Sequence, residues 1–134
     1  LVSASGHRVF AVAIVPDEPP TVREQVLTWA LDPACDVILS SGGTGLSARD
    51  RTVEAVSELF DVRIDGFGEL FRLLSFEAIG SRAMLSRATA GVVGGTPVFL
   101  LPGSPEAVTL ALTRLVLPEI AHVVGELRHH GRRD

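Results

Sequence analysis

Apolar runs and segments of helical period alternate from one end of the chain to the other. Residues 8–15, RVFAVAIV, are rich in Val and Ile and predict a buried strand, and DVILSS (36–41) predicts a second, shorter one. Between them VREQVLTWAL (22–31) sets Val22, Val26, Trp29 and Ala30 on one helical face. Thr21 and Glu24 have capping-box spacing at its start. TVEAVSELF (52–60) puts Val53, Val56 and Phe60 on one side, and ELFRLLSFEAI (69–79) predicts a further helix ended by Gly80. SRATAGVVGG (86–95) and TPVFLLPG (96–103) read as two strands joined at a Gly94-Gly95 turn. Ser104-Pro105-Glu106 then predicts a helix start: serine caps, proline fits the first helical position, and glutamate suits the positive end of the dipole. EAVTLALTRLVL (106–117) and EIAHVVGEL (119–127) predict helices broken near Pro118. Residues 1–5 read as the tail of a helix closing at Gly6, and RHHGRRD (128–134) as a polar, frayed tail.

This alternation, without repeats or linkers, predicts one α/β domain over residues 1–127, with a mostly parallel sheet covered by helices on both faces. Ligands of such sheets bind beyond the carboxyl ends of the strands. Three loops follow strands and precede helices there: PDEPP (16–20), GGTGLSARD (42–50) and PGSP (102–105).

Composition adjusts this picture in three ways. Hydrophobic residues make up 46% of 134, high for a small chain, which reads either as a well-filled α/β core or, the favoured reading, as apolar surface covered by sister subunits. A net charge of −4 with no basic stripe gives no footing for a nucleic-acid partner. No uninterrupted apolar run approaches the roughly 20 residues of a membrane span, so none is expected. The lone Cys35 rules out an intrachain disulfide and fits a reducing cytosol. The chain has no lysine, so every basic side chain that meets a phosphate is Arg or His.

The glycine loop lacks both the lysine of a P-loop and the G-x-G-x-x-G spacing of a dinucleotide fingerprint. It reads equally as a tight turn or as a cradle of backbone N–H groups. Asp50 at its end is either a cap, since Ser47 and Asp50 have capping-box spacing, or a site carboxylate. Asp17 is either a turn residue after Pro16 or its companion, because Thr21 already serves the following helix. Two carboxylates on neighbouring loops suit Mg²⁺, a hard cation that keeps several waters and bridges to phosphates. Arg49 or Arg87 would then meet phosphate oxygens. Glu69 is a first-turn acid or a site residue. His7, His122, His129 and His130 lack ligand spacing, Cys35 reads as a structural thiol, and no G-x-S-x-G elbow supports hydrolase chemistry.

Taken in order, VPDE (15–18), SSGGTGLSARD (40–50), GFGELFR (66–72), AMLSRA (83–88), AGVVGG (90–95) and LPGSPEAV (101–108) resemble the MoaB/Mog family of molybdenum cofactor biosynthesis proteins. The resemblance covers nearly the whole chain. It implies a three-layer αβα sandwich, trimers or hexamers, and a cytosolic molybdopterin adenylyltransferase. Such an enzyme joins molybdopterin to AMP from Mg-ATP, releases pyrophosphate, and precedes a molybdenum-insertion protein. On it, Asp17 and Asp50 match the family's catalytic and magnesium-binding acids, and Ser86 a position that handles pterin or nucleotide. Gly42, Gly43, Thr44 and Gly45 match the cradling loop, Pro102, Gly103 and Ser104 the loop closing the same pocket, and Glu69 a family motif. RDRTVEA (49–55) departs from the usual RDVTPEA at Arg51 and Val53. The family's first strand and most of its first helix are absent from the sequence as it stands, which predicts a natural protein longer by about two elements. Two other readings are a catalytically weak MoaB-type molybdopterin-binding or scaffold protein and a competence-damage-type nucleotide domain. The LSR and PGSP motifs argue against the second.

Overall fold

A computed structural model describes residues 1–129. Residues 130–134, with His130 and most of the polar tail, lie outside the described residues. Four strands form one sheet in the order β1 (Ile38–Ser41), β4 (Thr96–Leu101), β3 (Thr89–Val93), β2 (Val62–Arg63). β1 runs parallel to β4, while β3 is antiparallel to both β4 and β2, so the sheet is mixed. The Gly94-Gly95 turn accounts for this. A two-residue hairpin can join only antiparallel strands, and both glycines hold the positive φ that the right-twisted turn requires, 57° and 87°.

The sandwich has three layers because β4 is apolar on both sides. Phe99 and Leu101 face α3 (Asp65–Ile79), α4 (Pro105–Ala111) and α5 (Leu117–His129), meeting Phe67, Phe71, Leu112, Val116 and Ile120. Val98 and Leu100 face α1 (Pro19–Ala30) and α2 (Thr52–Ser57), meeting Val26, Ala30 and Val56. Cys35 is buried in that second core, its thiol donating to the Val37 carbonyl at 3.5 Å, as a structural thiol should.

Several elements depart from expectation. Residues 8–15 carry no strand: Val12 is 83% exposed and Ile14 fully so. A strand needs a neighbour for its N–H and C=O groups, and among the described residues none lies beside this segment. It is set off from the free edge of β1 by an apolar cleft of about 720 Å³, lined by Val9, Ala11, Ile38, Ile120 and Val124 among others. Helix α1 begins at Pro19, so Thr21 lies inside its first turn and caps nothing; Glu18 holds the cap position without a side-chain bond. Pro19 and Pro20 start the helix instead, since they lack the amides a cap would serve. Helix α3 begins four residues early, at Asp65, after the short strand β2.

Pro118 does not break the last helix. A wide π turn, Leu112–Val116, carries α4 into α5, so the missing proline donor falls in the opening turn of α5, where it costs little. The resulting rod, Pro105–Arg128, is long and apolar enough by length and composition to cross a membrane. One face of it, Ala111, Leu112, Val116 and Ile120, is seated in the core.

The start of α4 matches its sequence. Ser104 Oγ accepts from the Ala107 amide at 3.2 Å, with Pro105 in the first turn. Ser104→Ala should lower stability by about 1 kcal/mol, the usual worth of such a cap, read as the midpoint of urea unfolding.

Candidate functional site

Parallel pairing of β1 with β4 brings the loops that follow them out at the same edge, with Ser41 beside Leu101. Two bonds then bind the loops together. The Gly42 amide donates to the Leu101 carbonyl at 2.9 Å, and Ser41 Oγ to the Pro102 carbonyl at 3.3 Å. Gly103 lies directly against Gly42: a methyl group there would sit 3.5 Å from the Gly42 Cα. Gly43, at φ 72°, turns the chain onto the first residue of α2, where the Thr52 amide donates to its carbonyl at 3.2 Å.

The peptide groups of the loop divide by direction. The carbonyls of Thr44, Gly45 and Asp50 all accept from Arg87: from its amide at 3.0 Å, its Nε at 2.9 Å and its Nη2 at 2.8 Å respectively. By contrast the amides of Gly43, Thr44, Gly45 and Leu46 donate to no acceptor among the described residues. Thr44 is nevertheless buried, at 4% exposure. A run of successive amides without internal partners is a concavity of partial positive charge suited to an anion.

Asp50 is half-buried and closes the far end of the loop. Its Oδ2 accepts from the Ser47 amide at 3.0 Å, while its own amide donates to the Ser47 carbonyl at 2.9 Å. The capping-box spacing is thus realised as a turn rather than a helix start, since α2 begins only at Thr52. Asp17 is exposed and lines a shallow notch with Pro19, Val22, Thr52 and the two neighbours of Asp50, Arg49 and Arg51. Among the described residues no three His, Cys, Asp or Glu side chains gather as a metal cage. Asp50, whose Oδ1 accepts no hydrogen bond among the described residues, suits Mg²⁺, which takes one or two carboxylates and retains its waters, better than a metal needing a full protein shell.

Arg49 is exposed beside this notch, but Arg87 is not available to a phosphate in the way its sequence position suggested. Its guanidinium is committed to the loop carbonyls and to an ion pair with Glu54. The Arg87 hydrogen bond holds the Glu54 carboxyl below the ordinary glutamate range. Ser86 precedes it, half-buried, its hydroxyl accepting from the Ala88 amide at 3.3 Å. Arg72 secures the same stretch from α3, donating to the Ala88 carbonyl at 2.8 Å. Glu69 is exposed near the start of α3 and forms no ion pair with the glycine loop among the described residues. Pro102, Gly103 and Ser104 flank the cradle, with Ser104 engaged as the α4 cap.

Sequence reasoning missed Thr52 and Arg72. The signal for Thr52 was its place as the first helical residue after the loop. Arg72 is half-buried on α3, spaced one turn from Gly68, whose missing side chain lets it approach the start of β3.

Comparison with known proteins places these features in context. Residues 1–122 match the family described as "Probable molybdopterin binding domain". The chain is 50% identical over 125 residues to molybdenum cofactor biosynthesis protein B of Bacillus subtilis, covering 92% of this chain and 74% of that protein. A crystal structure of a molybdenum cofactor biosynthesis protein B superposes with a TM-score of 0.92 at 48% identity, covering 95% of this chain and 80% of the other. The molybdopterin biosynthesis enzyme MoaB of Thermus thermophilus superposes with a TM-score of 0.82 at 41% identity, over 92% and 76% of the two chains.

Proposed function

This chain belongs to the molybdopterin-binding family of molybdenum cofactor biosynthesis proteins, and from that premise we propose that it transfers AMP from Mg-ATP to molybdopterin. An oxygen of molybdopterin forms a bond to the α-phosphorus of ATP, and the bond from that phosphorus to the β-phosphate oxygen breaks, releasing pyrophosphate. The observation that carries the proposal is the row of four amides, Gly43 to Leu46, without a partner among the described residues, at the carboxyl edge of the sheet in the loop that Asp50 closes.

Transfer of this kind needs positioning and charge stabilisation more than a covalent nucleophile. The amides of the cradle bind phosphate oxygens in place of the absent lysine. Asp17 and Asp50 would hold Mg²⁺, which when bound neutralises phosphate charge. Ser86 and the 102–104 loop border the same cradle and contact the pterin or nucleotide, with Glu69 at the periphery. The reaction takes place in the cytosol, ahead of molybdenum insertion by a downstream protein. Pyrophosphate release by purified protein given molybdopterin and Mg-ATP tests the proposal. Binding of both substrates with no release would favour the scaffold reading.

The proposal includes a homo-oligomer. Leu70, Leu73, Phe76 and Ile79 recur every third residue along α3 and are each more than half exposed, and Met84 just beyond is 76% exposed. A stripe of this kind on a small chain is covered by sister subunits. Phe76→Glu should weaken self-association by roughly tenfold or more, seen as a shift toward monomer in light scattering coupled to size exclusion. A wild-type chain that is monomeric throughout the micromolar range would remove the oligomer.

A further inference from the structure

We propose that Arg87 is a positioning residue that aims the amides of the cradle, an inference that rests on the anion-binding reading above. A trans peptide is planar, so its C=O and the N–H of the next residue point in opposite directions. The Thr44 carbonyl is held by the Arg87 amide at 3.0 Å, which turns the Gly45 N–H away from Arg87. The Gly45 carbonyl is held by Arg87 Nε at 2.9 Å, which turns the Leu46 N–H away in the same manner. Two consecutive peptide planes are therefore fixed by one residue, and the amides so aimed are two of the four without an internal acceptor.

The grip extends to the other end of the loop. Nη2 donates to the Asp50 carbonyl at 2.8 Å, so the span from Gly45 to Asp50 is held to one side chain. Glu54, from α2, pairs with Nη1 and accepts from Nη2 at 3.4 Å, fixing the plane of the guanidinium. Glycine at position 45 has no rotamer to anchor it, and Leu46 is 66% exposed and packs on little. Without the arginine side chain the backbone amide of residue 87 still holds the Thr44 carbonyl, but no other group among the described residues holds the Gly45 carbonyl.

Arginine suits this task because its fork offers donors in a rigid plane at fixed angles. An ammonium presents a point charge that can satisfy one carbonyl or the Glu54 carboxylate, but does not hold the Gly45 and Asp50 carbonyls at fixed angles to one another. The device also links two motifs that are far apart in sequence, GGTG on the β1 side and LSR before β3. Arg87 thus acts on the ligand through the loop and not by contact.

The test uses inorganic pyrophosphate with Mg²⁺ as the probe, measured by titration calorimetry on wild type, Arg87→Ala and Arg87→Lys. All are assayed well below their unfolding temperatures, with the folded fraction verified. Wild type should bind; Arg87→Ala should bind roughly 30- to 100-fold more weakly, and Arg87→Lys roughly tenfold. Millimolar guanidinium ion should restore much of the binding of Arg87→Ala and none of that of Arg87→Lys, a rescue that general stabilisation would not produce. In NMR the Leu46 amide signal should shift or broaden in both variants, with those of β3 and β4 unchanged.

Folded Arg87→Ala, or Arg87→Lys if alanine fails to fold, binding as tightly as wild type would overturn the role of Arg87 and leave the proposed function standing. Failure of wild type to bind pyrophosphate would remove the anion cradle, and this inference with it.

Discussion

Asp50→Asn should lower the proposed AMP transfer to molybdopterin by roughly 100- to 1000-fold, the loss expected when a fixed charge is removed from a phosphoryl-transfer site. The fold should barely notice. The asparagine carbonyl can accept from the Ser47 amide in place of the Asp50 oxygen that does so at 3.0 Å, so the 47–50 turn survives with a change of less than about 1 kcal/mol. Asp50→Ala removes both the charge and the acceptor, and the Ser47 amide must turn to water. The difference between the two variants therefore isolates the turn, and the difference between Asn and wild type isolates the charge. Pyrophosphate release is the readout, followed over a range of Mg²⁺ concentrations. An Asp50→Asn enzyme that turns over within about fivefold of wild type would deny Asp50 its metal role. Asp17→Asn, in the notch beside Arg49 and Arg51, should behave alike.

The layered α/β fold and the place of its glycine loop were legible because they rest on local chemistry. The Gly94-Gly95 hairpin and the Ser104 cap each depend on a few adjacent residues whose conformational demands are visible in the letters. The placement of the glycine loop followed from one general rule about sheet edges. What escaped depends on partners distant in sequence. Residues 8–15 have the composition of a strand, yet strand formation requires a neighbouring backbone, which composition does not supply. Pro118 looked like a break because a π turn absorbs it upstream, a choice made by packing on Phe99 and Leu101 and not by local propensity. Arg87 looked like a phosphate ligand because its charge is written in the sequence, whereas its bonds to residues 44, 45, 50 and 54 arise only when β3 is laid beside the loop. Thr21 matched a capping pattern, but the two prolines before it took over the helix start.

Gly43→Ala should destabilise the chain by about 3 kcal/mol and abolish pyrophosphate binding, for two separable reasons. The first is conformational. At φ 72° the backbone of residue 43 occupies the left-handed region, which costs a Cβ-bearing residue roughly 1–2 kcal/mol. The second is steric. An alanine Cβ would meet the Thr52 Oγ1 and would lie 2.8 Å from its Cβ, closer than carbon atoms pack, and Thr52 is itself buried at 8% exposure with little room to retreat. The clash is relieved only by moving the loop off the start of α2, which breaks the bond from the Thr52 amide to the Gly43 carbonyl and displaces the adjacent amides. A shift of about 1 Å at a site that works by positioning is enough to remove roughly 100-fold of its effect.

The double variant separates the two. Thr52→Ala deletes the Oγ1 but keeps the β-carbon, so in the Gly43→Ala background it should recover about 1 kcal/mol of stability and leave the left-handed strain and the remaining carbon contact in place. Urea unfolding of the four members of the cycle measures the coupling directly. Additive effects of the two substitutions would mean that residues 43 and 52 do not press on each other, and the close seating of the cradle on α2 would have to be abandoned.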